Sequence, residues 1–317
     1  MTGMTVAVVG DALFAADLGK KGTVSDISFY NLKRGDVGIT YVEPSRYPER
    51  IQSLLTALAM ADSVVLVIEK LDRLVGEAIV AIDSVGVPRG HIILKNFVQP
   101  EEIAPYIKGT VLESYTQEEP DTNKMNDRHV NAVLPPCDGP VKIPVDHHFN
   151  VKGVGVVILG CVKRGQVKLH DELQIYPTEK TAMVRSIQVH DTDVKQAVLG
   201  NRVGLAVKNA EVEDFDRGYV LAPKGSLSSA DELSVDFAAS KFWKGEIAKD
   251  SIVHVAVGLQ IRPGKAVAVD GGSLKPGATA ALKLKLDKPV AYEKGDRAIV
   301  LDLDSKGLRI VGRGTLA

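Results

Sequence analysis

Gly10, Gly19 and Lys20 are the first residues whose types and order suggest chemistry. An apolar run, Val6–Val9, ends at Gly10, and a Gly-Lys pair follows. In a phosphate-binding loop, four residues separate the glycines, and Lys is followed by Ser or Thr. That spacing lets consecutive N–H groups wrap a phosphate and places a hydroxyl on magnesium. Here eight residues separate Gly10 from Gly19, and Lys20 is followed by Lys21. The expectation is a strand followed by a solvated loop with a lysine pair, with no cofactor bound. Asp17, Asp26 and Glu43 are scattered carboxylates whose spacing suggests no paired acid/base chemistry. His147 and His148 are adjacent, so on a strand their rings diverge and no shared metal is expected. Cys137 and Cys161 form no CxxC or Cys/His cluster and read as reduced thiols. Cys161, next to Gly160, reads as a small buried hydrophobe. Lys152, Lys163, Arg164 and Lys168 either contact RNA phosphates or solvate a barrel surface. Trp243, with Phe242 and Lys244, either stacks on a nucleotide or packs in a core.

The elements that must position these residues change in kind along the chain. Val6–Val9, Ile39–Val42, Ser63–Ile68 and His91–Leu94 are short apolar runs of the kind that form buried parallel strands. Helical spacing falls at Tyr47–Ala61 (Ile51, Leu54, Leu55, Leu58) and Leu74–Val85 (Val75, Ala78, Ile79, Ile82). A short helix is expected near Glu101–Ile107 and a strand at Thr110–Tyr115. This alternation predicts a small, mainly parallel α/β sheet. Gln117–Pro140 is polar and proline-rich and reads as a linker. Beyond it, Val154–Leu159, Glu172–Tyr176, Lys180–Val189 and Arg202–Val207 are short runs parted by Gly, Pro, Asn and Asp. A break at Pro223–Ala230 precedes a second such block. Close, regular spacing of short strands predicts barrels.

The chain has 317 residues, 45% of them hydrophobic and 25% charged, with a formal net charge of −1. That length suits two or three domains with sizeable cores. No global positive field draws the chain to nucleic acid, so an RNA contact must be local. No apolar run reaches the roughly 20 residues needed to span a bilayer. The N-terminus has no basic region before its first strand, so no signal peptide is expected, and the chain is expected in the cytoplasm.

Val141–Val220 carries a recognisable pattern: VDHHFNVKGVGVVILGCVKRGQVKLHDELQIYP, KTAMVRSIQVHDTDVKQAVLGNRVGLAV and DFDRGYVLAP. It resembles domain II of the elongation factor Tu family. The Asp-His…Lys-Gly-x-Gly start, Arg185–His190 and Asn201–Gly204 resemble the selenocysteine-specific branch. PGATAALKLKLDKPVAYEKGDRAIVLDLDSKGLRIVGRG resembles domain III. The implied architecture is multidomain α/β plus all-β: a reduced P-loop-GTPase-like α/β domain (1–118), a linker (119–140) and two β-barrels (141–224 and 225–317).

Aligned to that family, the nucleotide elements depart one after another. The switch threonine falls near Val24. Asp-x-x-Gly becomes Glu43-Pro44-Ser45-Arg46, and the histidine that follows becomes Tyr47. Asn-Lys-x-Asp becomes Lys95-Asn96-Phe97-Val98. Pro44 offers no N–H, Arg46 cannot approach as closely as glycine, and Val98 offers no acceptor to a guanine ring. These departures predict the loss of GTP hydrolysis and of GTP binding. The resemblance also implies an aminoacyl pocket at Asp146, His147 and Arg202, where a guanidinium and an imidazole would hold a charged side chain. Asp146 fixing a turn and Arg202 lying in solvent is the alternative. The expected partner is tRNA, selenocysteyl-tRNA among the options, or a ribosomal or mRNA element, with no membrane and no DNA. A scaffold or regulator binding a translation factor, and a GTPase with an unconventional site, are the other readings.

Overall fold

The structure is a computed structural model and describes residues 2–317. The first sheet is assembled from β1 (Thr2–Val9), β2 (Lys20–Val24), β3 (Ser28–Arg34), β4 (Val37–Glu43), β5 (Ser63–Ile68), β6 (Gly90–Leu94) and β7 (Thr116–Glu118), in the order β2-β3-β4-β1-β5-β6-β7. Strands β4, β1, β5, β6 and β7 are parallel; β2 and β3 add an antiparallel edge. All six residues of β5 are buried, as expected of a strand covered on both faces. On one face lie α2 (Ile51–Met60) and α3 (Arg73–Val85), with α4 (Pro100–Ile107) beyond them. On the other lie α1 (Ala12–Leu18) and α5 (Thr122–Asn131). Helix α3 is bounded by clear chemistry: Asp72 accepts from the N–H groups of Leu74 and Val75, and Gly86 ends it in the left-handed region.

Three expectations change here. Residues after β1 form α1 and then strand β2, not a solvated loop. Asp11 caps α1, and Phe14, Ala15 and Leu18 bury one face of it. The strand expected at Thr110–Tyr115 is a single 3₁₀ turn over Val111–Ser114, capped by Thr110, and β7 follows it. Part of the stretch read as a linker is α5, capped by Asp121. Its buried residues are Met125, Asn126 and His129. Two of those three are polar, so no apolar stripe announced the helix.

Strands β8 (Ile143–Val151), β9 (Gly155–Cys161), β10 (Gln166–Lys168), β11 (Glu172–Tyr176), β12 (Thr181–Val189), β13 (Thr192–Val194), β14 (Gln196–Val198), β15 (Arg202–Lys208) and β16 (Val220–Ala222) build the first barrel. Its ring runs β11-β16-β8-β9-β15-β12 and closes through β11–β12. Strands β17 (Ser228–Ala239), β18 (Ile247–Ala248), β19 (Ile252–Val257), β20 (Gln260–Val269), β21 (Ser273–Leu274), β22 (Thr279–Tyr292), β23 (Arg297–Leu301) and β24 (Ile310–Leu316) build the second. Its ring is β17-β22-β20-β19-β23-β24. Trp243 is buried in this barrel's core, which resolves its two readings in favour of packing; Phe242 beside it is exposed. The α/β core continues into the second barrel: Ala256, Leu259, Ile299, Leu301 and Ile310 belong to the same apolar cluster as α2 and α3. No helix among the described residues is long and apolar enough to cross a membrane.

Candidate functional site

Asp146 and Arg202 stand on the two strands that flank β9. Arg202 opens β15 opposite Cys161, while a bulge between Val145 and His147 turns Asp146 inward from β8. Gly160 lies between them; a side chain there would strike the Pro144 carbonyl, so the strands can approach closely only with glycine. Arg202 donates to Asp146 through Nη2 (2.7 Å) and Nε (3.2 Å), a two-pronged ion pair. Asp146 is fully buried, and its other neighbour is His147 Nδ1 at 2.6 Å. Burial alone would raise the Asp146 carboxyl, but Arg202 and His147 together hold it below the usual range. The three residues named from the sequence therefore form one cluster, and Arg202 is not a solvated cation. His148 diverges from His147 and packs against Phe215, as alternation on a strand requires.

The cluster is covered by the α/β domain. Phe29 of β3, itself fully buried, lies beneath the Arg202 guanidinium, 3.8 Å from ring centroid to Cζ. The same ring meets His147 edge-on at 5.9 Å. Ser25 Oγ lies 3.2 Å from His147 Nε2. Arg217 ties the layers together: Nε donates to the Asp146 carbonyl (3.1 Å), and Nη1 contacts both oxygens of Asp26 at 2.7 Å. Burial raises the Asp26 carboxyl, and Arg217 more than offsets that. What remains beside Arg202 is a cavity of about 140 Å³, lined by Asn31, Thr40, Gln188 and His190 among others. Sequence reasoning missed Phe29, Ser25 and Arg217 and left Asp26 unassigned. Arg217 lay inside the DFDRGYVLAP run and could have been singled out; Phe29 carried no signal.

Two of the four cations expected on the barrel surface are engaged elsewhere. Lys163 donates to the Met60 and Ala61 carbonyls and to Asp62, and Arg164 pairs with Glu293. Only Lys152 and Lys168 of that group are exposed. Cys161 is buried against Thr5 Oγ1 (3.4 Å), and burial pushes its thiol up to about 11, so it is no nucleophile.

At the carboxyl ends of the parallel strands, the Asp11 side chain accepts from the Leu13 N–H (2.8 Å) and from the Lys95 ammonium. Burial raises this carboxyl, but Lys95 and the helix N–H groups more than offset that and leave it anionic. A cleft of about 310 Å³ opens beside it, lined by Gly10, Asp11, Glu43, Pro44, Tyr47, Glu69 and Asp72 among others. Burial raises Glu43, which accepts from the Tyr30 hydroxyl at 3.0 Å. Tyr47 donates to the Leu74 carbonyl (2.9 Å).

Residues 155–222 match the family Elongation factor Tu domain 2. The uncharacterized protein MJ0325 of Methanocaldococcus jannaschii is 37% identical, with the whole of each chain covered. The selenocysteine-specific elongation factor of the same organism is 26% identical over 93% of this chain and 71% of its own length. Among solved structures, translation elongation factor SelB from Methanococcus maripaludis, in complex with the GTP analogue GPPNHP, superposes with a TM-score of 0.80. It is 24% identical, and the match covers all of this chain and 79% of that one. With an elongation factor Tu domain 2 at residues 155–222, and an α/β domain and two barrels in the same order, the chain is homologous to the selenocysteine-specific elongation factors.

Proposed function

We propose that this elongation-factor-like chain works as a binding protein without a GTP cycle, and that its ligand is RNA of the translation machinery. A tRNA is the first choice; a ribosomal or mRNA element is the alternative. The observation that carries the proposal is the Asp11 carboxylate at the start of α1, where a nucleotide phosphate would need free N–H groups. Glu43, Glu69 and Asp72 share the adjoining cleft, so a triphosphate would meet like charge there. Magnesium would find no Ser or Thr after Lys20 to ligate it. A γ-phosphate and its metal order the switch loops of a GTPase; Val24 and the Glu43–Tyr47 segment supply neither function.

The Asp146–His147–Arg202 cluster supports descent of this surface from an aminoacyl pocket. In the closed arrangement both donor edges of Arg202 used here face Asp146, and Phe29 covers the guanidinium. An aminoacyl group would reach Arg202 only after the Ser25–Phe29 segment withdrew. RNA contact in the closed form therefore falls to the outer barrel surfaces. A gel shift at low salt with bulk tRNA and with selenocysteyl-tRNA tests the proposal. Retardation that weakens steeply as salt rises is expected. Arg202→Ala should remove any preference for the charged tRNA over the uncharged one. If no RNA is retarded at low salt, the proposal fails and a protein-binding scaffold takes its place.

A further inference from the structure

Phe97 is 95% exposed, the most exposed large apolar side chain among the described residues. Its backbone sits at φ +65°, beside Asn96 at +52°. A bulky residue in the left-handed region is an outlier, and such strain concentrates where function retains it. The turn that presents it is held firmly. The Val98 N–H donates to the Lys95 carbonyl (3.1 Å), and the Gln99 amide donates to the Phe97 carbonyl (2.9 Å). Lys95 anchors the turn to the ends of β1 and β5 through Asp11 and Glu69.

Phe97 does not stand alone on this edge. Parallel strands β1, β5, β6 and β7 end side by side, delivering Asp11–Leu13, Glu69–Lys70, Lys95–Phe97 and Glu118–Glu119 in that spatial order. Leu13 is 78% exposed. A cleft of about 740 Å³ beside Phe97 is lined by Glu69, Lys95, Gln99, Glu118, Glu119 and their neighbours. The cations here are already matched: Lys95 by Asp11 and Glu69, Lys70 by Asp72, and Arg128 by Glu118. Glu119 joins none of these ion pairs, so among the described residues the carboxylates at this edge outnumber its cations.

We propose that this edge is a docking surface for a basic protein segment: a Lys/Arg-rich stretch with an apolar side chain that packs against Phe97. In open α/β sheets the carboxyl ends of the strands are where a ligand binds. Here that edge carries an exposed aromatic anchor in a field of carboxylates. An aromatic anchor surrounded by complementary charge is the make-up of an interface hot spot. RNA is disfavoured on this edge, because its phosphates would approach unpaired carboxylates.

The test uses the full chain and fluorescence anisotropy. The probe is a fluorescein-labelled dodecapeptide alternating Lys and Leu, with Lys/Ser and Glu/Leu peptides and an oligouridylate as controls. The Lys/Leu peptide should bind, weaken as salt rises, and lose about tenfold or more in affinity in Phe97→Gly and in Glu119→Lys. Phe97→Gly should melt at the same temperature as the parent or higher, since glycine suits φ +65°. Equal peptide affinity in Phe97→Gly, binding of the oligouridylate that depends on Phe97, or a lower melting temperature for that variant would each overturn the proposal. This inference concerns the α/β domain, so failure of the RNA reading of the barrels leaves it standing.

Discussion

Arg202 brings a full charge into an interface that excludes most water, and it is stable there because Asp146 meets it along two bonds. Removing one partner of such a pair leaves the other buried and uncompensated. Arg202→Ala should therefore destabilise the fold by about 3–5 kcal/mol, read from urea denaturation. A loss below about 1 kcal/mol would mean that the pair is solvated, as a surface bridge is. The sequence resemblance named Asp146, His147 and Arg202 and implied that they meet. It could not indicate that Phe29 covers them. The phenylalanine and the arginine lie in different domains, and neither segment's periodicity reports on the other.

Helix α5 shows why some elements escape sequence reading. Its buried face is Met125, Asn126 and His129, held by the Tyr41 hydroxyl at 2.6 Å from Asn126 Oδ1 and 3.1 Å from His129 Nδ1. A polar buried face has no hydrophobic period to detect. Strands β1, β4, β5 and β6 and the helices α2 and α3, by contrast, were legible because their burial is apolar, continuous in the strands and periodic in the helices. Burial of His129, with further help from the neighbouring His91 and Arg128, drives its pKa down to about 3. Between that value and the ordinary histidine value near 6.5, the unfolded chain binds a proton that the folded chain refuses. Stability should therefore fall as pH drops from about 6.5, at up to about 1.4 kcal/mol per pH unit from this one group. His129→Gln, neutral throughout, should flatten the dependence of the urea midpoint between pH 6.5 and 4. An unchanged slope would contradict the assignment. Cap removal belongs at the same scale: Asp11→Ala deletes the α1 cap and should cost about 0.5–2 kcal/mol, measured in the same way.

At the scale of the whole molecule, the α/β domain is fastened to both barrels. Arg309 of the second barrel's β23–β24 connection donates through Nε (3.1 Å) and Nη2 to Glu77 of α3 and through Nη1 to the Pro48 carbonyl (2.7 Å). Arg313 and Arg297 close on the Asp83–Ser84 end of the same helix. Arg217, Phe29 and Lys163 hold the first barrel. Because one apolar cluster spans α2, α3 and the second barrel, thermal unfolding of the parent should be a single transition. Glu77→Ala strands Arg309 in that interface and should split the transition in calorimetry, the α/β domain melting first. A single, merely lowered transition would show that the apolar contact alone couples the domains. Domains fastened at this many points suit the proposed absence of a nucleotide cycle. The most direct test is isothermal titration of the full chain with GTP and with GDP in magnesium buffer. No binding tighter than about 1 mM is expected for either nucleotide. A micromolar dissociation constant for either would contradict the claim that this elongation-factor fold works without GTP.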